Sequence, residues 1–297
     1  MQKKLFLIMR KIGFYFFLLF EQLASLLPFR FLYIISDFVY FILNYVLKYR
    51  KTIILQNLSN AFPDKSEEEI KLLRKKYMKI MADLILESVK SSHLSEKAIL
   101  KRFKFSKLDL MEQLYNKNKS VFIVCGHTGS WEMSGMILPL ITKYKCFGIY
   151  QPQTNFYFDT YMKKVRSSFG VIPLPSQQAY KQFIQHKNEI ILSFIVADQA
   201  PSKNGEHHWT EFLNQETAFF TGLEKMAKSL DFAVVFLNII RTGRGKYSLE
   251  FELLTDQPKL TKTGEISEMY ANALEILIRQ HPENWLWSHR RWKHKRN

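Results

Sequence analysis

From Ile12 to Leu47 almost every position is apolar or aromatic. The run is interrupted by Glu21, Pro28, Arg30 and Asp37, and is preceded by Lys3, Lys4, Arg10 and Lys11. No charge-free stretch reaches the roughly 20 residues that a membrane-crossing helix needs. The pattern predicts two hydrophobic helices joined near Pro28, partly inserted in a membrane or lying along its interface. The leading basic residues favour a cytoplasmic N-terminus. A secretory signal is a second reading, but Arg10 and Lys11 cut into the apolar run, which resumes after Pro28 instead of ending at a small-residue cleavage site. A third is that these helices pack on the domain core, which would leave their charges on one face.

Beyond residue 50 the pattern changes. Ser66-Glu67-Glu68-Glu69 is a capping-box start, followed by Ile70, Leu73, Tyr77, Ile80, Met81 and Leu84 at helical spacing, which predicts a long surface helix. Apolar runs of strand length then recur at 121–125, 146–150, 190–196, 234–240 and 247–253. Helical patterns alternate with them at 132–143, 156–169, 177–186, 217–230 and 266–280. Such alternation predicts an α/β fold with a mixed, largely parallel sheet flanked by helices. The last two strands, separated only by Arg241-Thr242-Gly243-Arg244-Gly245, form a hairpin. The chain divides into N-terminal helices over 1–50 and one domain over 51–297, with no internal repeat or linker.

Composition narrows the partners. Aromatics make up 15% of the 297 residues, and many fall in the first fifty, which points towards lipid. A net charge of +16 draws the protein to polyanions: an anionic membrane surface, nucleic acid or an acidic carrier protein. Two cysteines, Cys125 and Cys146, are too few for a disulfide framework or a four-thiolate zinc site. Cys125 reads as a small core residue, and the compartment as reducing. His207 and His208 lack a third ligand at a recognised spacing, so no metal is expected.

The chemistry concentrates at the end of the first clear strand. In Val121-Phe122-Ile123-Val124-Cys125-Gly126-His127-Thr128-Gly129-Ser130-Trp131-Glu132 a buried strand leads through a glycine-punctuated turn into a helix. Beyond the carboxyl end of a strand is where open α/β sheets bind ligands. On one continuous helix His127 and Glu132 would point about 140° apart, but a turn containing Gly126 and Gly129 can fold the imidazole back on the carboxylate. A neutral imidazole can take the proton of an attacking hydroxyl, and Glu132 would hold the other ring nitrogen, as the acid of a triad does. No G-x-S-x-G elbow is present, and none is needed if the acceptor hydroxyl itself attacks.

The segment resembles the H-x4-[D/E] motif of glycerolipid-type acyltransferases. In particular it resembles the GH-x-G-x-WE form of the bacterial lipid A biosynthesis acyltransferase family, the lauroyl and myristoyl transferases. Asn57-Leu58 and Ala61-Phe62-Pro63 resemble the family's N-L-x-x-A-F-P segment. Tyr150, Pro152, Asn155, Asp159, Arg166 and Gly170 fall where the family has a helix ending in R-x3-G, and Asp198-Gln199 matches its D-Q element. Arg241 and the closing Pro282-Glu283-Asn284-Trp285-Leu286-Trp287-Ser288-His289-Arg290-Arg291-Trp292-Lys293 match its ending. The chain departs at Phe212-Leu213-Asn214, where the family often has F-F-G, and at His207-His208-Trp209 before it.

The resemblance implies a glycerolipid acyltransferase-like fold and an enzyme on the cytoplasmic side of the bacterial inner membrane. Its donor would be an acyl thioester, of acyl carrier protein or coenzyme A, used as a co-substrate with no cofactor. Its acceptor would be a hydroxyl of a lipid A precursor. His127 and Glu132 would be catalytic, and Arg166, Asp198, Gln199 and Arg241 would bind substrate, Arg166 at the acceptor's anionic head. Read without the resemblance, Arg166 is a solvated helix residue and Asp198-Gln199 cap the next segment. The tryptophans of the ending would pack on the domain while its basic residues contact membrane or carrier. The rival readings are the same chemistry on an aminolipid, lysophospholipid or other glycolipid, and a non-catalytic basic protein that binds membrane or nucleic acid.

Overall fold

A computed structural model describes residues 2–202 and 205–296, with side chains described from residue 10 onward. Two N-terminal helices, α1 (Gln2–Leu26) and α2 (Phe29–Phe41), meet at Pro28, and α2 runs on into a π-helical turn over Ile42–Val46. Two helices follow, α3 (Lys51–Ala61) and α4 (Glu67–Ser91). Ser66 caps α4 with the predicted reciprocal pair, its hydroxyl accepting from Glu69 N–H while the Glu69 carboxylate accepts from Ser66 N–H.

The body is an α/β domain. In chain order its elements are α5 (Glu96–Leu100), β1 (Phe103–Ser106), α6 (Asp109–Asn116), β2 (Val121–Cys125), α7 (Trp131–Met136), α8 (Leu138–Ile141), β3 (Lys145–Tyr150), α9 (Phe156–Arg166), β4 (Ile172–Pro175), α10 (Ala179–Gln185) and β5 (Ile191–Val196). Then come β6 (His207–Phe212), β7 (Gln215–Phe220), α11 (Gly222–Leu230), β8 (Ala233–Gly243), β9 (Lys246–Thr255) and α12 (Glu265–Gln280). The seven-stranded sheet has the order β1-β9-β8-β2-β5-β3-β4 and is parallel except at the β8–β9 hairpin, so the mixed, largely parallel sheet read from the sequence is present. β2 is central and pairs with β8 on one side and β5 on the other, and all five of its residues are buried. An uninterrupted Val-Phe-Ile-Val-Cys run is what a strand covered on both faces requires.

Four strands escaped the sequence reading. β1 and β4 are four-residue edge strands, and β4 carries Pro173 and Pro175, residues that sheets tolerate at edges. β6 and β7 form a separate antiparallel hairpin turning at Leu213 and Asn214, both with positive φ, so the helix expected over 217–230 begins only at Gly222. The helix expected over 132–143 is split into α7 and α8, with Pro139 in the first turn of the second.

The expected surface helix α4 is largely interior. It packs against α1, α2 and α3, and Arg74, Asp83, Glu87 and Lys90 are buried along it. These polar side chains meet polar partners from both sides. Asp83 accepts from Ser36 Oγ, Arg241 and Arg244, while Glu87 accepts from the hydroxyls of Tyr33 and Tyr247 at 3.0 and 2.5 Å. Lys90 donates to the carbonyls of Ser25 and Leu27, which the break at Pro28 leaves without helical partners.

The N-terminal helices are amphipathic in the inverted sense. Their carboxylates face the protein: Glu21 accepts from Tyr161 Oη at 3.1 Å and lies 3.1 Å from His93 Nδ1, and Asp37 pairs with Arg244 at 2.6 Å. Phe14 stacks on Tyr157 of α9 and Phe17 meets Tyr161 edge-on. The outer face is apolar, with Phe16 69%, Leu26 80%, Ile34 64% and Phe38 63% exposed. The segment Phe29–Val46 is long and apolar enough to cross a membrane, and 17% of it is buried.

Candidate active site

β2 delivers His127 to the carboxyl edge of the sheet. Because β2 and β5 are neighbours in parallel register, with Cys125 opposite Val196, the residues just past each strand end side by side. Ala197 N–H donates to Cys125 C=O, and Asp198 comes to rest under the Gly126-His127 turn. The turn is stitched to the C-terminal segment as well, through a bridge from Thr128 to Trp285 and a bond from Gly129 N–H to Asn284 C=O. Two glycines make this possible. A Cβ on Gly126 would lie 2.5 Å from Leu274 Cδ1 and 3.2 Å from Asp198 Oδ2. Gly129 has φ +48°, and its Cβ would press on Ile239 at 2.9 Å.

Asp198 organises the centre. Its Oδ1 is 2.5 Å from His127 Nδ1, and its Oδ2 accepts from His127 backbone N–H at 2.8 Å and from Trp285 Nε1–H at 2.6 Å. The carboxyl is almost wholly buried. Burial alone would raise its pKa, but the facing imidazole and these hydrogen bonds outweigh it and hold Asp198 down at about 2. An ionised Asp198 offers no proton, so His127 Nδ1 carries the hydrogen between them and Nε2 is left with its lone pair. Burial pushes the His127 pKa down, but the Asp198 carboxylate, helped by Glu132, wins and raises it above the ordinary value.

This geometry corrects the role expected of Glu132. Its carboxylate does not hold the imidazole; it is taken in a two-pronged pair by Arg166, Nε to Oε2 at 3.0 Å and Nη2 to Oε1 at 2.6 Å. The helical rise from Trp131 turns Glu132 towards α9, and the segment just past β5 supplies the ring's carboxylate instead. Arg166, expected at the acceptor's anionic head, spends Nε and Nη2 on this pair while lining the polar cavity beside His127, with its guanidinium 5.6 Å from the Tyr150 ring centroid. Gln199 places its amide nitrogen 3.2 Å from His127 Nε2.

Arg241 lies elsewhere. It is bound to Asp83 at 2.6 Å and borders a different cleft from the cavities that touch His127. The histidines of the departing loop are tied locally, His207 to Ser202 C=O and His208 to Glu268. Cys125 is buried with its thiol pushed far up by desolvation, so no thiolate is available there.

Sequence reasoning missed Trp285 and His289 as parts of the centre. Trp285 is the third donor to Asp198, and its ring meets Trp287 edge-on at 4.7 Å. His289 accepts from Ala200 N–H at 3.1 Å, and burial drops its pKa to about 4, so it is neutral. The signal was available in the dense Trp and His spacing of the ending, but nothing in the linear order ties that segment to strand β2.

Two cavities meet at the histidine. One, of about 500 Å³, runs between α1, α4 and α9 and is walled by Phe17, Ile80, Leu84, Val89, Phe158 and Met162. The other, of about 260 Å³, is more polar and is lined by Tyr150, Gln151, Gln153, Arg166 and Gln199. His127, Trp131 and Glu132 border both.

A histidine at a strand end, oriented by a buried carboxylate, thus stands between an apolar cavity and a more polar one, an arrangement suited to acyl transfer. The comparison with known proteins agrees. The bacterial lipid A biosynthesis acyltransferase family matches residues 1–294. A lipid A biosynthesis acyltransferase of Haemophilus influenzae is 24% identical over 250 residues, covering 81% of this chain and 74% of its own. A lipid A biosynthesis palmitoleoyltransferase of Escherichia coli is 23% identical over 251 residues, 83% of this chain and 80% of its own. Lipid A biosynthesis acyltransferase 2 of Shigella flexneri is 20% identical over 236 residues, 78% and 74%. The chain belongs to the bacterial lipid A biosynthesis acyltransferase family, and it is an acyltransferase.

Proposed function

We propose that this enzyme transfers a fatty acyl group from an acyl thioester, carried by acyl carrier protein or coenzyme A, to a hydroxyl of a lipid A precursor at the cytoplasmic face of the bacterial inner membrane. The observation that carries the reading is the position of His127, with the lone pair of Nε2 facing only the Gln199 amide among the described residues, at the junction of an apolar cavity and a more polar one. The inverted amphipathic helices support docking at a bilayer, since their exposed apolar face is left uncovered by the described residues.

The acceptor hydroxyl takes the place next to Nε2 now held by the Gln199 amide. Nε2 removes its proton as the oxygen attacks the thioester carbonyl, and Asp198 stabilises the imidazolium that forms. The tetrahedral intermediate collapses with cleavage of the C–S bond. The departing thiolate takes the proton back from Nε2, leaving an ester and a free thiol. Arg166 and Glu132 together pin α9 against α7, so the walls of both cavities keep their spacing around the reacting atoms. The chemistry needs no metal or cofactor from this set of residues.

The test is acyl transfer in detergent from labelled acyl carrier protein, and from the coenzyme A ester, to a lipid A precursor, a lysophospholipid and an aminolipid in parallel. Preference for the lipid A precursor supports the reading. Transfer to one of the other acceptors alone keeps the chemistry and replaces the acceptor.

A further inference from the structure

Attack of a hydroxyl on a thioester turns the carbonyl oxygen into an oxyanion, and enzymes stabilise such a charge with hydrogen-bond donors fixed in place beforehand. The turn that carries His127 has spent its own. His127 N–H goes to Asp198, Thr128 N–H to Gly126 C=O and Gly129 N–H to Asn284 C=O. Side chains along the apolar cavity are committed as well. Trp285 gives its indole N–H to Asp198, Tyr161 gives its hydroxyl to Glu21, and the Asn284 amide is closed off from solvent. Arg166 and Gln199 line the polar cavity and not the apolar one, which puts them on the acceptor's side.

His289 is differently placed. It borders the apolar cavity together with His127 and is anchored on the same segment that orients the base. Asp198 holds the His127 ring, and two residues further on Ala200 N–H donates to His289 Nε2 at 3.1 Å. Two residues of chain span at most roughly 7 Å, so the anchors of both rings lie close together. Burial keeps His289 neutral by dropping its pKa to about 4. Because Nε2 accepts, the one ring hydrogen sits on Nδ1. That Nδ1–H meets no acceptor among the described residues and, unlike the Asn284 amide, is not closed off. A neutral imidazole can polarise a carbonyl without giving up its proton. The Trp131 indole is another open donor near the base, edge-on to His127 with 5.0 Å between ring centroids, but no hydrogen bond among the described residues fixes it.

We propose that His289 Nδ1–H donates a hydrogen bond to the thioester carbonyl oxygen and holds the oxyanion that forms there, making His289 a second catalytic histidine. This rests on the acyl-thioester reading above and supplies the partner for the charge that reading creates. No proton leaves His289. The carbonyl π pair moves onto oxygen as the new C–O bond forms, and it returns as the C–S bond breaks and the thiolate takes the proton from His127 Nε2. The two rings divide the work: His127 moves the proton and His289 receives the negative charge.

The experiment measures single-turnover acyl transfer by the full chain from a thioester and from the matching dithioester, whose thiocarbonyl sulfur accepts hydrogen bonds poorly. Two variants are compared with the native chain. His289→Phe keeps a ring but removes both nitrogens, whereas Nδ1-methylhistidine at position 289 keeps the Ala200 bond and removes only the Nδ1 hydrogen. Both should fold, as a thermal melt verifies, and both should lose about 10²-fold to 10³-fold in rate on the thioester, the effect of deleting one oxyanion donor. Thioester affinity should be retained, and the native preference for thioester over dithioester should shrink in both. Native rates with Nδ1-methylhistidine would overturn the proposal, since a loss in His289→Phe alone would then come from the Ala200 tie. So would an undiminished preference for the thioester in both variants, or a preference lost in Trp131→Phe and kept in His289→Phe, which would assign the donor to the indole. Any acceptor that the native chain acylates serves, so the identity of the lipid does not enter. A native chain that transfers to no acceptor refutes the parent reading, whereas transfer with an unchanged preference in the variants refutes this inference alone.

Discussion

Replacing Asp198 by asparagine separates the two carboxylates of the site. Three donors converge on Asp198: the His127 ring, the His127 backbone and the Trp285 indole. Asparagine has one acceptor oxygen, so at least one buried N–H faces an amide N–H, at about 1–3 kcal/mol for each group left unsatisfied. The larger effect is on the tautomer. An amide NH2 facing Nδ1 makes Nδ1 the acceptor and moves the ring hydrogen to Nε2, where it blocks the base. In a serine-protease triad the same exchange costs about 10⁴ in turnover, and here a fall in kcat of roughly 10³ to 10⁴ is expected on the same ground. Glu132→Gln keeps an oxygen for Arg166 and loses only the charge of a pair whose side chains are 22% and 23% exposed. Partial solvent screening confines that loss to about 10-fold to 10²-fold. The assay is steady-state transfer from a labelled acyl thioester, with KM for the acceptor recorded alongside kcat. A Glu132→Gln enzyme more impaired in kcat than Asp198→Asn would refute the assignment of the ring's carboxylate to β5.

Other consequences are open to measurement. Since His127 must be neutral to accept a proton and its pKa is raised, the acid limb of the kcat/KM profile lies above the ordinary histidine value of about 6.5. Removing the Glu132 charge shifts the limb downward, and an unmoved limb contradicts the electrostatics. Gly126→Ala forces a methyl to 2.5 Å from Leu274 Cδ1; overpacking of this kind costs about 1–3 kcal/mol, read as a lower Tm together with lost activity from the displaced Asp198. Phe16→Lys combined with Phe38→Lys places charges on the exposed face of α1 and α2, each forfeiting about 1.5–3 kcal/mol of apolar burial in lipid. Partition to anionic vesicles should fall at least tenfold in flotation, and unchanged partition argues that this face does not meet the bilayer.

Much of the fold was legible because its signals are local. The Ser66 capping box, the continuous apolar run of β2, the glycine-rich turn after it and the β8–β9 hairpin each depend on neighbours in sequence. The short edge strands β1 and β4 carry too few residues for a period to show, and the alternation in β7 was masked by the helical pattern that follows it. At the site, His127, Glu132, Arg166, Asp198 and Gln199 are all brought to one place. What the chain order concealed was the pairing among them. Glu132 is five residues from His127 and Asp198 is 71, yet sheet order puts β5 beside β2 and lets the distant carboxylate reach the ring. The acids of α4 were hidden for a related reason. Asp83 and Glu87 sit one turn apart on a helix that looked solvent-facing, and only the arrival of α2 and the β8–β9 hairpin shows what they bind.

The central claim is that His127 Nε2 is the base in transfer from a thioester to a hydroxyl. The most direct measurement compares the native chain with His127→Ala in single-turnover acyl transfer, with acceptor binding checked separately. A loss of at least about 10²-fold in rate with acceptor affinity retained is the predicted result, as expected when a positioned base is removed. Transfer that persists at the native rate in His127→Ala would contradict it.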